Sequence, residues 1–414
     1  MSEAEGAIVH PPLRKLIFLA RSLDHGGAER QLTLLAGRLR ALGYDVQVVV
    51  FYPGGALEAE LHAADVPVYS LDKRGRWALK SFLGRMLRFF ESQGSAIVHG
   101  YLPVPNLMTL LIKFWVPRTR AVFGVRASNL EPGREDRVSR WVFALEQRWA
   151  RYADLIIVNS QAGREHHIRR GFPADKLRVI PNGIDTDRFQ PNPEARAALR
   201  AQWAIPENTV VIGLVGRLDP MKDHRTFLRA AARFSRNHSE VRFVCIGGGE
   251  AGLRTQLRAY AHELCIDDKL LWLLPRDDMQ MVYPAFDLLT SASAYGEGFS
   301  NAIGEAMACG VPCVVTDVGD SAWIVGDTGI VVPARSPELM MNAWQELLDR
   351  RQAEPVEPAE PAEAAEVPEG EGSEEGEVET KVETLAERAR ARIVENFGVD
   401  VLVSRTLAAL GELT

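Results

Sequence analysis

Cysteine is scarce in this chain of 414 residues: Cys245, Cys265, Cys309 and Cys313 are the only four, all in the second half. A disulfide scaffold needs far more in a much shorter chain. No His or further Cys pair stands near Cys309 and Cys313 to complete a zinc site, so buried apolar thiols are expected. Long apolar runs are missing too. The longest, 107–116, is ten residues and contains Lys113, whereas a membrane span needs about 20. The run 16–20 is closed by Arg21, too short for a signal-peptide core, which makes the cytosol the default expectation.

What is present is ordinary for a globular protein, with 46% hydrophobic and 25% charged residues. That balance excludes a wholly disordered chain, a collagen and a coiled-coil rod. The net charge of −7 is unevenly spread. Residues 353–383 hold twelve Glu and one Lys, a local −11, which leaves the remainder at +4. This Pro/Glu/Gly tract cannot bury enough apolar surface to offset its ordering entropy and is expected to be disordered. A solvated spacer and a docking tail for a basic partner are both compatible with it.

Elsewhere, short β-branched runs alternate with helical patterns. Strands are predicted at 16–20, 45–52, 96–99, 121–125 and 155–159, with Val138, Trp141, Val142, Leu145 and Trp149 marking one face of a long helix. The pattern restarts with strands at 210–215, 241–246, 270–274, 288–291 and 311–316, and helices at 225–234, 253–264 and 301–308. Strands alternating with helices argue for parallel sheets covered on both faces. The reading is therefore α/β, with a Rossmann-like domain over 1–180, a hinge at 181–195 (rich in Pro, Asn and Gly), and a second Rossmann-like domain over 196–352. The acidic tract and a C-terminal helical region, 384–414, follow. Ligands are expected in the cleft, at the carboxyl ends of the strands.

Two segments carry chemistry. In 291–315 a strand runs into Gly296-Glu297-Gly298 and a helix opens near Ser300-Asn301, with Glu305 eight residues after Glu297. Such a turn offers free N–H groups and a positive helix end to a phosphate. Two carboxylates beside a phosphate make sense as acceptors for the neutral hydroxyls of a sugar or ribose. Equally, Glu305 could complement the helix dipole and Glu297 decorate the turn. In 213–224 a buried strand ends at Gly216, and Arg217 and Lys222 follow. Together they could neutralise a diphosphate, a fork complementing a point charge, although functionless surface cations are common.

Taken with Gly26-Gly27-Ala28-Glu29-Arg30, Val158-Asn159-Ser160, Pro181-Asn182-Gly183-Ile184-Asp185 and Glu305-Ala306-Met307-Ala308-Cys309-Gly310, these segments resemble the retaining GT-B glycosyltransferases of family GT4, the glycosyl transferases group 1. In this order the motifs are specific; singly each is weak. The resemblance implies two Rossmann-like domains facing across a cleft. It implies that Arg217 and Lys222 hold the diphosphate of a UDP-, GDP- or ADP-sugar, Glu305 the ribose and Glu297 the donor sugar. Gly216, Gly298 and the backbone of Phe299, Ser300 and Asn301 would contact the donor, while Gly26 and Gly27 let the N-terminal loop approach it, as only glycine permits. It further implies transfer with retention, without metal or cofactor, to a saccharide or lipid-linked acceptor in cell-surface polysaccharide or lipopolysaccharide assembly. The alternative is a non-catalytic nucleotide-sugar-binding subunit that scaffolds a partner transferase. One departure stands out: Arg126 occupies a strand end where family members often carry His, and His99, ending another strand, is the other candidate for that role.

Three further features compete for attention. Gly247 to Gly252 fits the G-x-G-x-x-G dinucleotide fingerprint, but it follows the second strand of its domain, not the first, which disfavours NAD and favours a close backbone approach to a nucleotide. Asp185-Thr186-Asp187 mimics a metal-binding D-x-D, yet it sits in the hinge, where Asp commonly caps turns. His166 and His167 are expected to be solvated. Segment 73–90 has six cations and no acid, interleaved with Trp77, Phe82, Leu83, Met86, Leu87, Phe89 and Phe90. It suits either an anionic membrane surface or packing on its own sheet. Nothing points to nucleic acid.

Overall fold

The computed structural model describes residues 15–24, 26–73, 79–126, 137–353 and 383–413. The first lobe contains β1 (Leu16–Ala20), α1 (Gly27–Ala41), β2 (Val46–Val50), α2 (Glu58–Ala63), β3 (Val68–Ser70) and α3 (Leu79–Gln93). It continues through β4 (Ile97–Tyr101), α4 (Pro103–Trp115), β5 (Arg120–Val125), α5 (Arg137–Trp149), β6 (Leu155–Val158), α6 (Gln161–Arg169) and β7 (Leu177–Val179). The second lobe runs α7 (Pro193–Gln202), β8 (Val210–Val215), α8 (His224–Phe234), β9 (Val241–Ile246), α9 (Ala251–Glu263) and β10 (Leu270–Leu273). Then come α10 (Met279–Val282), β11 (Leu288–Ser291), α11 (Asn301–Ala308), β12 (Cys313–Thr316), α12 (Ser321–Val325), β13 (Ile330–Val332) and α13 (Pro337–Gln352). Two helices close the chain, α14 (Leu385–Phe397) and α15 (Val399–Gly411).

Both sheets are parallel. The first has the order β3-β2-β1-β4-β5-β6-β7 and the second β10-β9-β8-β11-β12-β13. The inner strands are buried from end to end, as in LIFLA of β1 and CVVT of β12, because helices cover both faces. Strand order reverses between β1 and β4 in one lobe and between β8 and β11 in the other. Those are the switch points where the loops diverge and open a crevice.

The expected 384–414 helical region is two helices with different duties. A capping box between Thr384 and Glu387 starts α14, whose Ala389, Ile393 and Phe397 enter the second-lobe core. The chain then breaks at Gly398, and Leu402, Val403, Leu407 and Leu410 of α15 enter the first-lobe core. The hinge is pinned by this return: Ile184 N–H donates to the Phe397 carbonyl at 2.8 Å. Gly183 is also clamped, exchanging two 2.8 Å hydrogen bonds with the Gln31 side chain. A Cβ at Gly183 would come within 2.8 Å of Leu402 Cδ2.

Several expectations change. The edge strands β3, β7 and β13 are three residues each, too short to leave a periodic signature. Cys265 is exposed while the other three cysteines are buried. His167 is buried, not solvated; its Nδ1 lies 2.7 Å from the Gly163 carbonyl and its ring packs on Phe172. Burial, against the hydrogen bond to Gly163, pushes its pKa down to about 4. On α3, Phe82, Met86 and Phe90 turn inward onto the first-lobe sheet, while Trp77 lies outside the described residues. The apolar stripe of α5 does the opposite and faces solvent, because the inward position of that helix is held by Glu146. Nearly all of the acidic tract also lies outside the described residues.

Candidate active site

The second-lobe switch point builds the site from two loops. After β8, Asp219 accepts the Met221 N–H at 2.8 Å and starts a single tight turn. Asp223 ends it in the left-handed region, φ 43°, and caps α8 by accepting the Thr226 hydroxyl at 2.6 Å. The turn folds Lys222 back over the strand end, so that a Cβ at Gly216 would lie 3.3 Å from Lys222 Cδ. Arg217 stands exposed beside it.

From β11 the chain reaches Gly296, φ 76°, and then the buried Glu297. Lys222 Nζ donates to Glu297 Oε1, and the Ser293 hydroxyl donates to the same oxygen at 2.7 Å. Burial pushes the Glu297 carboxyl up, but the charge and hydrogen bond of Lys222, Ser293 and the charge of Arg217 outweigh it, holding the group below its ordinary value. The Ala294 N–H donates to the Met221 carbonyl at 2.8 Å and ties the two loops together. Gly319 presses on this turn so closely that a Cβ there would lie 2.3 Å from the Glu297 carbonyl oxygen.

Beyond the turn, α11 opens at Ser300 with no side-chain cap, leaving its first N–H groups available. Phe299 itself is buried, its ring against Phe397 at 5.3 Å, so only its backbone belongs to the cleft. Across the gap α1 opens at Gly26, also uncapped. A Cβ at Gly27 would stand 3.9 Å from Asn301 Nδ2. The start of α1 is offset by Glu29, whose carboxylate lies against Gly26, so the uncapped start of α11 is the end suited to an anion. One turn along α11, Glu305 accepts the Tyr283 hydroxyl at 2.7 Å on Oε2. Burial raises its pKa, against Tyr283 and the charges of Arg30 and Arg188. Glu305, Asn301, Arg30 and Arg188 line an interlobe pocket of about 440 Å³.

The first lobe supplies few charges. Arg126 donates to Asn182 Oδ1 at 2.7 Å and to the Tyr101 hydroxyl at 2.9 Å, and stacks 4.6 Å over the Tyr101 ring. Asn182 in turn donates to Asn301 Oδ1 at 2.7 Å. Arg126 thus begins a polar relay from β5 through the hinge to the N-terminus of α11. His99, expected to line the cleft, has no accessible surface and lies among Phe18 and Tyr101. Neither of its ring nitrogens has a hydrogen-bond partner among the described residues. Burial, helped by the charge of Arg126, pushes its pKa down to about 3, so the imidazole is neutral. The correction follows from register: at its position opposite Phe18 of β1 and Val122 of β5, His99 lies inside a central strand.

Sequence comparison agrees with the fold. The family model described as Glycosyltransferase Family 4 matches residues 25–188, and that described as Glycosyl transferases group 1 matches 209–350. A D-inositol 3-phosphate glycosyltransferase of Corynebacterium jeikeium is 31% identical over 291 residues, covering 65% of this chain and 68% of that protein. The chain belongs to glycosyltransferase family 4. A D-inositol 3-phosphate glycosyltransferase of Mycobacteroides abscessus is 35% identical over 217 residues, covering 50% of this chain and 47% of that protein. Anabaena HepE, solved in complex with UDP-glucose, superposes with a TM-score of 0.76 at 22% identity, covering 95% of this chain and 98% of HepE. The fold of this glycosyltransferase is GT-B.

Of the residues named from sequence, Gly216, Lys222, Glu297, Gly298 and Asn301 come together at one switch point, with Arg217 beside them and Gly27 opposite. Glu305 sits a turn away, on the pocket side. Gly247 and Gly249 of the fingerprint are closely packed: a Cβ at each would lie 1.9 Å from the Gly216 carbonyl oxygen and 2.5 Å from that of Leu218, respectively, while Gly252 has open space. Among the described residues no cluster of three or more His, Cys, Asp or Glu is placed to hold a metal. Sequence reasoning missed four supporting groups: Ser293, Tyr283, Asn182 and Asp320, whose N–H donates to the Gly298 carbonyl at 3.1 Å. Only Asn182, inside the Pro181–Asp185 motif, carried a local signal.

Proposed function

We propose that this glycosyltransferase moves a hexose-type sugar from a UDP-sugar to a saccharide or lipid-linked acceptor, with retention and without a metal, in cell-surface polysaccharide or lipopolysaccharide assembly. The observation that carries the reading is the Lys222–Glu297 pair beside the uncapped start of α11, at the strand-order switch. Arg217, Lys222 and the N–H groups of α11 receive the diphosphate, fixed donors that stabilise the charge growing on it as the sugar leaves. Glu297, held ionised, is an acceptor for sugar hydroxyls. Glu305, with Oε1 unclaimed by Tyr283, accepts from the ribose. The leaving phosphate takes the acceptor proton on the face it vacates, which gives retention without a covalent intermediate. Gly27 keeps the first lobe close enough to complete the enclosure.

The UDP-glucose complex of HepE supports a nucleotide-sugar donor with uracil as its base. The inositol phosphate in the relatives' names supports a hydroxyl-rich acceptor. A thermal-shift screen of UDP-, GDP- and ADP-sugars tests the donor, since a specific ligand stabilises in proportion to its affinity. Selective stabilisation by a UDP-sugar, and slow donor hydrolysis that persists in excess EDTA, are the expected results. Stabilisation without any turnover would leave a binding subunit. Loss of hydrolysis in EDTA, rescued by Mn²⁺ or Mg²⁺, would overturn the metal-free mechanism.

A further inference from the structure

An exposed aromatic face on the first lobe lies outside everything described so far. On α5 the apolar residues recur every three or four positions, and they point to solvent. Trp141 is 78% exposed, Val138 57%, and Leu145 and Trp149 38% each. The stripe continues past the helix to Tyr152, whose ring meets Phe114 of α4 at 6.1 Å. Phe114 and the adjacent Trp115 are 66% and 57% exposed. The Lys113 ammonium fixes this junction by donating to the Tyr152 carbonyl at 3.0 Å. Scattered exposed apolar residues are normal; a contiguous run with three tryptophans is not.

Charge distinguishes the partner. Arg137, Arg140 and Arg148 are exposed on α5, and Arg151 follows beside Tyr152. None of the three on the helix forms an ion pair with a described acid. The single carboxylate of α5, Glu146, is buried, accepting from Asn106 Nδ2 at 2.7 Å. Nearby acids are already engaged, Glu91 by Trp115 Nε1 at 2.6 Å and Asp154 by Lys113. Among the described residues the face thus presents tryptophan, tyrosine and arginine and no free carboxylate. Amphipathic aromatic rings settle at the headgroup level of a bilayer, and each cation adds attraction to anionic lipid. No helix among the described residues is long and apolar enough to cross a membrane, so the contact is with the surface.

We propose that α5, with the end of α4 and Tyr152, docks this glycosyltransferase on an anionic lipid surface. Because Glu146 is held between Asn106 and the first-lobe core, the stripe is presented on a fixed element. By contrast α3, the basic segment singled out in the sequence, spends Phe82, Met86 and Phe90 on its own sheet. The inference rests on this surface alone and stands or falls independently of the donor site.

Flotation of the full chain with phosphatidylcholine vesicles, with and without phosphatidylglycerol, tests it at low and raised salt. The wild type is expected to float with the anionic vesicles and to be released by salt. Trp141→Ser should abolish most binding, and Arg140→Glu and Arg148→Glu should each lower partitioning by about 30-fold, because each reversal removes an attraction and adds a repulsion. All three sites are exposed, so the melting temperature should not move. Lys80→Glu on α3 should float as wild type. Three results would overturn the proposal: no binding of wild type at low salt, α5 variants that float unchanged, or a Trp141→Ser variant that loses self-association in place of vesicle binding.

Discussion

The two lobes share one strand order and use it differently. At the β8/β11 switch point the loops carry a buried ion pair, an exposed arginine and an uncapped helix start. At the β1/β4 switch point the first lobe offers Gly26 and Gly27, a neutral buried imidazole and the ring of Tyr101. The second lobe brings the paired charges to the ligand; the first brings its backbone near, adds Arg30 to the pocket wall and keeps His99 dry. The same topology therefore sets where a ligand lies, while the side chains at the strand ends decide which lobe does chemistry.

Removing the charges is the strongest way to break that asymmetry. Arg217→Ala and Lys222→Ala should each lower kcat/KM by about 10²- to 10³-fold, the range for losing one fixed donor at a developing charge. Their stabilities should differ. Arg217 is exposed, so its loss should leave the melting temperature unchanged. Lys222→Ala strands Glu297 among buried neighbours, a loss of about 3 kcal/mol. Adding Glu297→Gln to Lys222→Ala should restore much of that stability and none of the turnover. Paired melts and initial-rate assays check both halves. Equal losses of stability and turnover in Arg217→Ala would make that residue structural.

The contrast also explains what could be read in advance. Arg217 with Lys222, and Glu297 with Glu305, sit within single segments beside strands, so local spacing carried them. The inner strands were legible because parallel strands covered on both faces are continuous apolar runs. Partners brought by the other lobe were not. Asn182 meets Asn301 across 119 residues, and nothing in either segment names the other. His99 looked like a cleft residue because it ends an apolar run, yet β4 continues for two more residues and buries it. The stripe on α5 was visible as a periodicity, but periodicity cannot say whether a face is covered.

The pH response should sharpen the comparison next, because the first lobe buries several groups in their neutral forms, Glu146 and His99 among them. Burial, against the hydrogen bond from Asn106 and the charge of Arg170, raises Glu146 to about 7. A raised carboxyl favours the folded state while protonated, so its contribution is complete below pH 4.5 and fades as pH rises to 7. His99 runs the other way: lowered to about 3, it gives stability at pH 7 that fades as pH falls below 6.5. Glu146→Gln should therefore gain about 3 kcal/mol over wild type at pH 8 and little at pH 4.5. His99→Leu should be relatively more stable at pH 5 than at pH 8, with turnover within about tenfold of wild type. Melts at stepped pH, read as differences from wild type, isolate each group. A far larger loss of turnover in His99→Leu would return catalytic work to the first lobe.

The smallest effect concerns the contact that joins the lobes. Asp320, buried at the start of α12, accepts the Gln161 N–H at 2.7 Å and the Ala162 N–H at 2.9 Å, capping α6 from the opposite lobe. Its own N–H donates to the Gly298 carbonyl at 3.1 Å, so one residue touches both the glycine turn of the donor site and a first-lobe helix. Asp320→Asn keeps the backbone bond to Gly298 and replaces a two-oxygen acceptor with one oxygen and an amide. One N–H of α6 then loses its partner, a loss of about 1 kcal/mol. That corresponds to a fall of about 2–4 °C in melting temperature for a domain of this size. Turnover at saturating donor should hold, because the charges at β8 and β11 stay in place, while the donor KM rises by about two- to threefold. If kcat fell and KM did not, the cap would be acting on the chemical step, and the division of labour between the lobes would have to be redrawn around Asp320.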